Sequence, residues 1–150
     1  MNPALETLAL AVREYGGVAS PALFLGAEPH PDLSGAFAWQ PLKPLADLCE
    51  GTGMNLTESP EGKYNTVLFL PGKSKEETLA GFARAHDFLR PGGLFIAALA
   101  NTLGAARFEK ELSKAAPLLF SVSKNKCRAF AAETREPWDP ALLSAWRAIA

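Results

Sequence analysis

The chain has little from which to build a metal centre or a disulfide scaffold, with two cysteines and two histidines in 150 residues. Cys49 and Cys127 lie far apart and no signal peptide precedes them, so the expectation is free thiols in a cytoplasmic protein. His30 and His86 have no companions at metal-ligand spacing, and two cysteines alone cannot close a zinc site, so no metal is expected. No apolar run approaches the ~20 residues that cross a bilayer. A formal net charge of −1 exerts no global pull toward nucleic acid or membrane, and any such site must be a local patch. Repeats and low-complexity segments are absent. No serine sits in a nucleophile-elbow glycine frame, and no acid/base pair stands out, so no catalytic residue is assigned.

What is present is apolar sequence, at 48% of residues, enough for one globular domain over 1–150 with a sizeable core. The stretch from Tyr64 to Asn101 organises it. Thr66 to Leu70 is a short β-branched and aromatic run suited to a strand buried on both faces. Pro71-Gly72 stops it. Ser74 then stands three residues before Glu77, a capping-box spacing that satisfies free amides at a helix start. Leu79, Phe82, Ala83, His86 and Leu89 recur at helical spacing and give the helix one buried face. Arg90-Pro91-Gly92-Gly93 is expected to end it, and Leu94 to Ala100 reads as a second buried strand. Strand, helix and strand on short turns make a right-handed βαβ unit with parallel strands.

Such a unit needs more sheet on either side. Asn2-Pro3 opens a helix carrying Leu5, Leu8, Ala9 and Val12, and Tyr15-Gly16-Gly17 closes it. Ala22 to Leu25, Ala36 to Trp39 and Met54 to Thr57 read as strands. Leu42, Leu45, Ala46 and Cys49 suggest a helix opened by Pro41. Ala105 to Ala115 places Phe108, Leu112 and Ala115 on one side of another helix. Leu118 to Ser123 and Cys127 to Glu133 form an antiparallel hairpin across Lys124-Asn125-Lys126. Trp138 precedes an Asp139 cap and Pro140, placed to staple onto Leu143 in the last helix. The whole is a doubly wound, three-layer α/β sandwich. Its mainly parallel sheet with a C-terminal antiparallel hairpin resembles the class I methyltransferase arrangement.

Asp47 to Gly53 (DLCEGTG) invites a nucleotide reading, because a glycine turn between strand and helix holds S-adenosylmethionine or a dinucleotide in such folds. Only about a dozen residues separate Gly53 from Thr66, too few for the strand–helix units that must follow a first-strand loop. A helix-terminating glycine is the plainer reading. The first-strand loop by chain order is Phe24 to Pro31 (FLGAEPHP), with one glycine and two prolines that remove backbone donors. The usual cofactor site of the fold thus looks disabled, and no cofactor-binding residue is assigned. After the fourth strand, Pro71 to Lys75 stands where amino-methyltransferases carry Asn-Pro-Pro and an aromatic, a motif this chain lacks. Lys73 and Lys75 there either contact phosphate or line a solvated loop. Lys124, Lys126 and Arg128 cluster at the hairpin, with Arg107, Lys110 and Lys114 on the preceding helix. Two readings stand side by side, an RNA-backbone patch and an exposed hairpin tip whose helix charges Glu109 and Glu111 dilute. Asn101 follows the fifth strand at the edge where ligands sit in such folds, and is expected to cap the next helix.

Four stretches together resemble a family: Thr66 to Glu76 (TVLFLPGKSKE), Leu89 to Gly93 (LRPGG), Asn101 to Lys110 (NTLGAARFEK) and Lys124 to Phe130 (KNKCRAF). They look like the N-terminal half of the bacterial ribosomal RNA guanine-N2 methyltransferase C family, which comprises a small-subunit type and its large-subunit relative. That pattern runs from a strand ending in Pro-Lys-x-Lys through an x-Pro-x-Gly turn and Asn-x-x-Gly to a Lys-x-x-Cys-Arg hairpin. It covers roughly residues 20 to 147. Gly72 departs from it, separating Pro71 from Lys73 and shifting which lysine matches which. The resemblance implies a fold twin that binds no methyl donor, followed by a catalytic domain that holds S-adenosylmethionine and carries Asn-Pro-Pro-Phe. This chain would be the first domain alone, its catalytic partner absent, and its last helix would run on into a longer or split enzyme. The implied partners are ribosomal RNA and that catalytic domain. The rival expectations are a small stand-alone methyltransferase using Asp47 to Gly53, which needs a strand before Gly51, and a protein-interaction module with no RNA role.

Overall fold

The computed structural model describes residues 2–149. Seven strands form one sheet: β1 (Ala22–Leu25), β2 (Phe37–Trp39), β3 (Asn55–Leu56), β4 (Tyr64–Phe69), β5 (Leu89–Ala100), β6 (Leu118–Lys124) and β7 (Cys127–Glu133). Their spatial order is β3-β2-β1-β4-β5-β7-β6, a double winding outward from the β1–β4 boundary. The first five strands pair in parallel, and β7 enters antiparallel between β5 and β6. The expected α/β sandwich with a closing antiparallel hairpin is therefore the observed one.

Each face of the sheet carries its own core. One side, under α1 (Pro3–Tyr15) and α2 (Lys43–Gly51), buries Leu5, Leu8, Val12, Phe24, Leu68 and Ile96. The other, under α3 (Lys75–Phe88), α4 (Ala105–Ala115) and α5 (Pro140–Arg147), buries Leu23, Val67, Phe82, Phe95, Phe108, Phe130 and Trp146. Alternation along the central strands produces both sets, because adjacent side chains leave a strand on opposite faces. Phe82 is fully buried and meets the rings of Phe95 and Trp146 edge-on, both at 5.7 Å. That geometry places the positive edge of one ring against the negative face of the next.

The helix ends follow the local chemistry. The Asn2 side chain accepts from Ala4 N at 3.0 Å, and left-handed Gly16 (φ 103°) stops α1. The Ser74 hydroxyl accepts from Glu77 N at 3.2 Å at the start of α3. Asp139 caps α5, and Trp138 and Leu143 share its core, the expected staple.

Several expectations change. Lys43, not Pro41, opens α2; Pro44 occupies its first turn, and of the expected apolar face only Cys49 is buried. Leu42 is 61% exposed because α2 lies over the sheet edge rather than its centre. Arg90 to Gly93 does not separate helix from strand. Leu89 already pairs with Tyr64, the next pair is Thr66 with Leu94, and the intervening residues loop out inside β5. Thr134 fixes that bulge: its carbonyl accepts from Gly92 N, and its own N–H donates to the Gly93 carbonyl. Asn101 does not cap α4: it begins a 3-10 turn (Asn101–Leu103), and Gly104 (φ 90°) stands at the cap position. The hairpin turn is one residue tighter than the sequence suggests, since Lys124 pairs with Cys127. Asn125 and Lys126 both take positive φ, 54° and 57°, as a two-residue turn matched to strand twist requires.

Candidate functional site

The carboxyl ends of the parallel strands define the edge where this architecture places ligands. The chain returns to it repeatedly: after β1 at Gly26, after β2 at Gln40, after β4 at Pro71 and after β5 at Asn101. Because β7 runs the other way, its start lies here too. Cys127 pairs with Ala100, and Asn101 N donates to the Lys126 carbonyl at 2.9 Å.

At the turn after β1, the two amides nearest the strand are already used. Gly26 N and Ala27 N both donate to the Trp39 carbonyl, at 2.9 and 3.1 Å. Gln40 Nε2 donates to the Ala27 carbonyl at 3.0 Å, and the Cys49 thiol lies 3.5 Å from the same oxygen. Gly26 has φ 76°, and a Cβ there would collide with the Leu70 carbonyl oxygen, so β4 closes over the turn. In a doubly wound nucleotide site a carboxylate holds the ribose hydroxyls. Here the neutral Gln40 follows β2, its amide group turned inward.

The crossover from β1 to β2 carries no long helix. Between Leu25 and Phe37 its one helical element is the 3-10 turn Pro31–Leu33, too short to aim a set of N-terminal amides at a phosphate or carboxylate. α1 braces this loop from outside. Asn2 Nδ2 donates to Glu28 Oε2 at 3.1 Å, and His30 Nε2 lies 3.4 Å from Glu6. His30 Nδ1 accepts from Asp32 N at 3.1 Å, which leaves the ring proton on the nitrogen facing Glu6. The loop's shortage of glycine and its prolines are visible in the sequence; the Asn2–Glu28 and Glu6–His30 brace is not, because each pair joins residues more than twenty positions apart.

The same edge gathers the basic residues. Lys73 and Lys75 are exposed where β4 passes into α3. Lys124 and Lys126 are exposed at the hairpin tip, which α1 supports through the Thr7 hydroxyl, 3.2 Å from the Lys124 carbonyl. Arg107 is exposed in the first turn of α4, its guanidinium 5.7 Å from the Phe108 ring. Arg128 differs. It turns toward α4, and its Nη1 donates to Glu109 Oε2 at 3.1 Å, an oxygen that also accepts from the Ser121 hydroxyl at 3.0 Å. Lys114, near the far end of α4, pairs with Glu111 at 3.1 Å. The structure thus brings Lys73, Lys75, Arg107, Lys124 and Lys126 to one edge and turns Arg128 into a strut between hairpin and helix.

The glycines of the Asp47–Gly53 stretch sit at the end of α2, with Gly53 at φ 84° just beyond it. A helix, not a strand, runs directly into them, which removes the donor-loop reading of that segment. A groove of about 450 Å³ lies at the opposite edge of the sheet, lined by Gly16, Gly17, Asn65, Thr66 and Gly92. Asn65 and Thr66 both donate to backbone carbonyls there, and the groove brings no acid, base or nucleophile together. Among the described residues no group of three or more His, Cys, Asp or Glu side chains could hold a metal ion, and no helix is long and apolar enough to cross a membrane.

No family model matches the chain, and no curated protein matches it in sequence. Solved structures do match in fold. The 16S rRNA N2 methyltransferase of T. thermophilus, solved with AdoMet and guanosine, superposes with a TM-score of 0.73 at 18% identity over 93% of this chain. This chain spans only 40% of that enzyme's length. The ribosomal protein L11 methylase of Lactobacillus delbrueckii subsp. bulgaricus gives 0.67 at 14% identity, covering 87% of this chain and 80% of that one. An RNA methyltransferase of Salinibacter ruber, solved with S-adenosyl-L-homocysteine, gives 0.59 at 10% identity, covering 95% and 97%. At these identities the likeness establishes a Rossmann-like methyltransferase fold.

Proposed function

We propose that this chain is a non-catalytic methyltransferase-like domain of a cytoplasmic ribosomal RNA guanine-N2 methyltransferase, holding RNA for a separate catalytic domain that carries S-adenosylmethionine. The observation that carries the reading is the closed turn after β1. Its two leading amides are spent on the Trp39 carbonyl, and the Leu70 carbonyl occupies the space against Gly26. A methyl donor needs close approach to bare backbone at that turn, and these residues do not fit it. No step of methyl transfer is therefore assigned to this chain.

The role left to the domain is electrostatic. Lys73, Lys75, Arg107, Lys124 and Lys126 lie along one edge of a protein whose net charge is −1; Glu76 and Glu77 stand beside Lys75, so the positive charge is most concentrated at the hairpin tip and the start of α4. Phosphates neutralised by such a strip release counterions, which makes binding tight at low salt and weak at high salt. Contacts of this kind position RNA without reading its sequence, which suits a domain that holds substrate for a partner.

Isothermal titration calorimetry with S-adenosylmethionine is the direct test. No heat of binding is expected at millimolar donor, and a micromolar dissociation constant would overturn the reading. For the RNA role, Lys124→Glu and Lys126→Glu should abolish binding of ribosomal RNA fragments at low salt. Unchanged affinity would favour a protein-interaction module instead.

A further inference from the structure

Doubly wound sheets are usually covered by the helices of their crossovers. Here the β3–β4 crossover, residues 57–63, contains no helix. α3 lies over β4 and β5, so on its side of the sheet β2 has no roof. Phe37 and Trp39, two residues apart on that strand, share this face. Phe37 is 42% exposed, and Trp39 is partly buried with the Arg84 guanidinium 5.0 Å from its ring centre. Phe37 meets Tyr64 edge-on at 6.4 Å, which holds its ring.

We infer that Phe37, Trp39 and Arg84 form a stacking platform for unpaired RNA bases, an inference that rests on the RNA-holding role proposed above. Three observations lead there. First, strand rise sets Phe37 and Trp39 about 7 Å apart, close to the spacing of successive bases in an extended single strand. Second, aromatic rings and arginine planes are the surfaces on which single-stranded bases stack whatever their sequence. Third, the platform continues into the lysine edge. The Trp39 carbonyl holds Gly26, Leu70 closes on Gly26, and Lys73 follows three residues later. The ends of β2 and β4 are two strand spacings apart, about 10 Å. Glu61, three residues before Tyr64 on the crossover, lies toward the far end of the strip and repels phosphate there. Lysines take the phosphates and the β2 rings take the bases.

The tryptophans make the test selective. Trp138 and Trp146 are 1% and 3% exposed, so the emission that a bound base can quench comes from Trp39. A short oligoadenylate is titrated into the 150-residue chain at low salt, with inorganic polyphosphate as control. Expected are quenching by oligoadenylate and none by polyphosphate, together with about a tenfold weaker affinity in Phe37→Ala. Trp39→Phe should abolish the quench and keep most of the affinity. Lysine-dependent binding without quenching, and with Phe37→Ala unchanged, would overturn the platform while leaving the RNA-holding role intact. No binding of any single strand would overturn both. Self-association that Phe37→Ala abolishes would reassign the strip to a protein partner and also refute the inference.

Discussion

Replacing Phe82 with alanine should cost this domain a substantial share of its stability, at the upper end of the range usual for a buried ring. Phe82 is fully buried, and its ring meets five others: Phe69, Phe95, Phe108, Phe130 and Trp146, at 5.7 to 6.3 Å. Those partners come from β4, β5, α4, β7 and α5, so one side chain joins five elements across the α3 layer. Truncating a buried phenylalanine costs about 3–5 kcal/mol, and the cost grows with the cavity that stays open. Rings fixed to separate strands and helices cannot collapse into the gap, so a loss of about 4–5 kcal/mol is expected. For a domain of this length that is a fall of roughly 8–20 °C in Tm. The assay is urea unfolding followed by far-ultraviolet circular dichroism, with Phe82→Leu and Phe37→Ala alongside. Phe82→Leu keeps most of the volume and should lose under about 2 kcal/mol. Phe37→Ala, on the same face of the sheet but outside the roof, should lose under about 1 kcal/mol. A Phe82→Ala loss below about 1.5 kcal/mol, or equal losses at positions 82 and 37, would mean that the α3 layer does not close over a single rigid core.

Three other outcomes follow from local geometry. Gly26→Ala forces a Cβ onto the Leu70 carbonyl at a left-handed backbone position, and should destabilise by about 2 kcal/mol or more in the same urea assay; a neutral result would mean that the turn after β1 is open. Burial pushes the Asp87 carboxyl up, but hydrogen bonds from Arg147, at 2.5 and 3.0 Å, and from His86 outweigh it and hold it below the usual aspartate value. A lowered folded value adds stability above the unfolded pKa and loses it as pH falls through the folded one. Asp87→Asn should therefore be slightly less stable than wild type at neutral pH and equal to it near pH ~2, and a difference that grew toward acid would contradict the sign. Finally, burial raises the thiols of both Cys49 and Cys127, with Glu28 adding to the shift at Cys49. Neither should react with a thiol reagent in the native protein at pH ~8, whereas both should react in urea, and a fast native reaction would show that one is accessible.

Much of the fold is legible in the chain because its signals are local. Asn2-Pro3, Ser74 with Glu77, and Trp138 ahead of Asp139-Pro140 mark helix starts through atoms within a few residues, and each helix begins there. Local chemistry misleads where a distant partner decides the outcome. Arg90-Pro91-Gly92-Gly93 has the composition of a turn, yet Thr134 on the antiparallel side receives Gly92 and Gly93 and makes the segment a bulge. Asn101 has the chemistry of a cap, yet it is drawn into a 3-10 turn and left-handed Gly104 takes the cap position of α4. Arg128 reads as one more cation beside Lys126, but strand alternation turns it to Glu109, nineteen residues back.

By itself the sequence settled the alternation of strands and helices, hence a doubly wound sheet, and the shortage of glycine after the first strand. Both depend on what each residue permits its own backbone to do. Tertiary structure alone decided that the Leu70 carbonyl lies against Gly26, that lysines about fifty residues apart share one edge, and that Phe37 on β2 stands partly exposed beyond the cover of α3. Those facts depend on which strand ends lie next to one another, and sheet order is set by the burial of two whole faces at once.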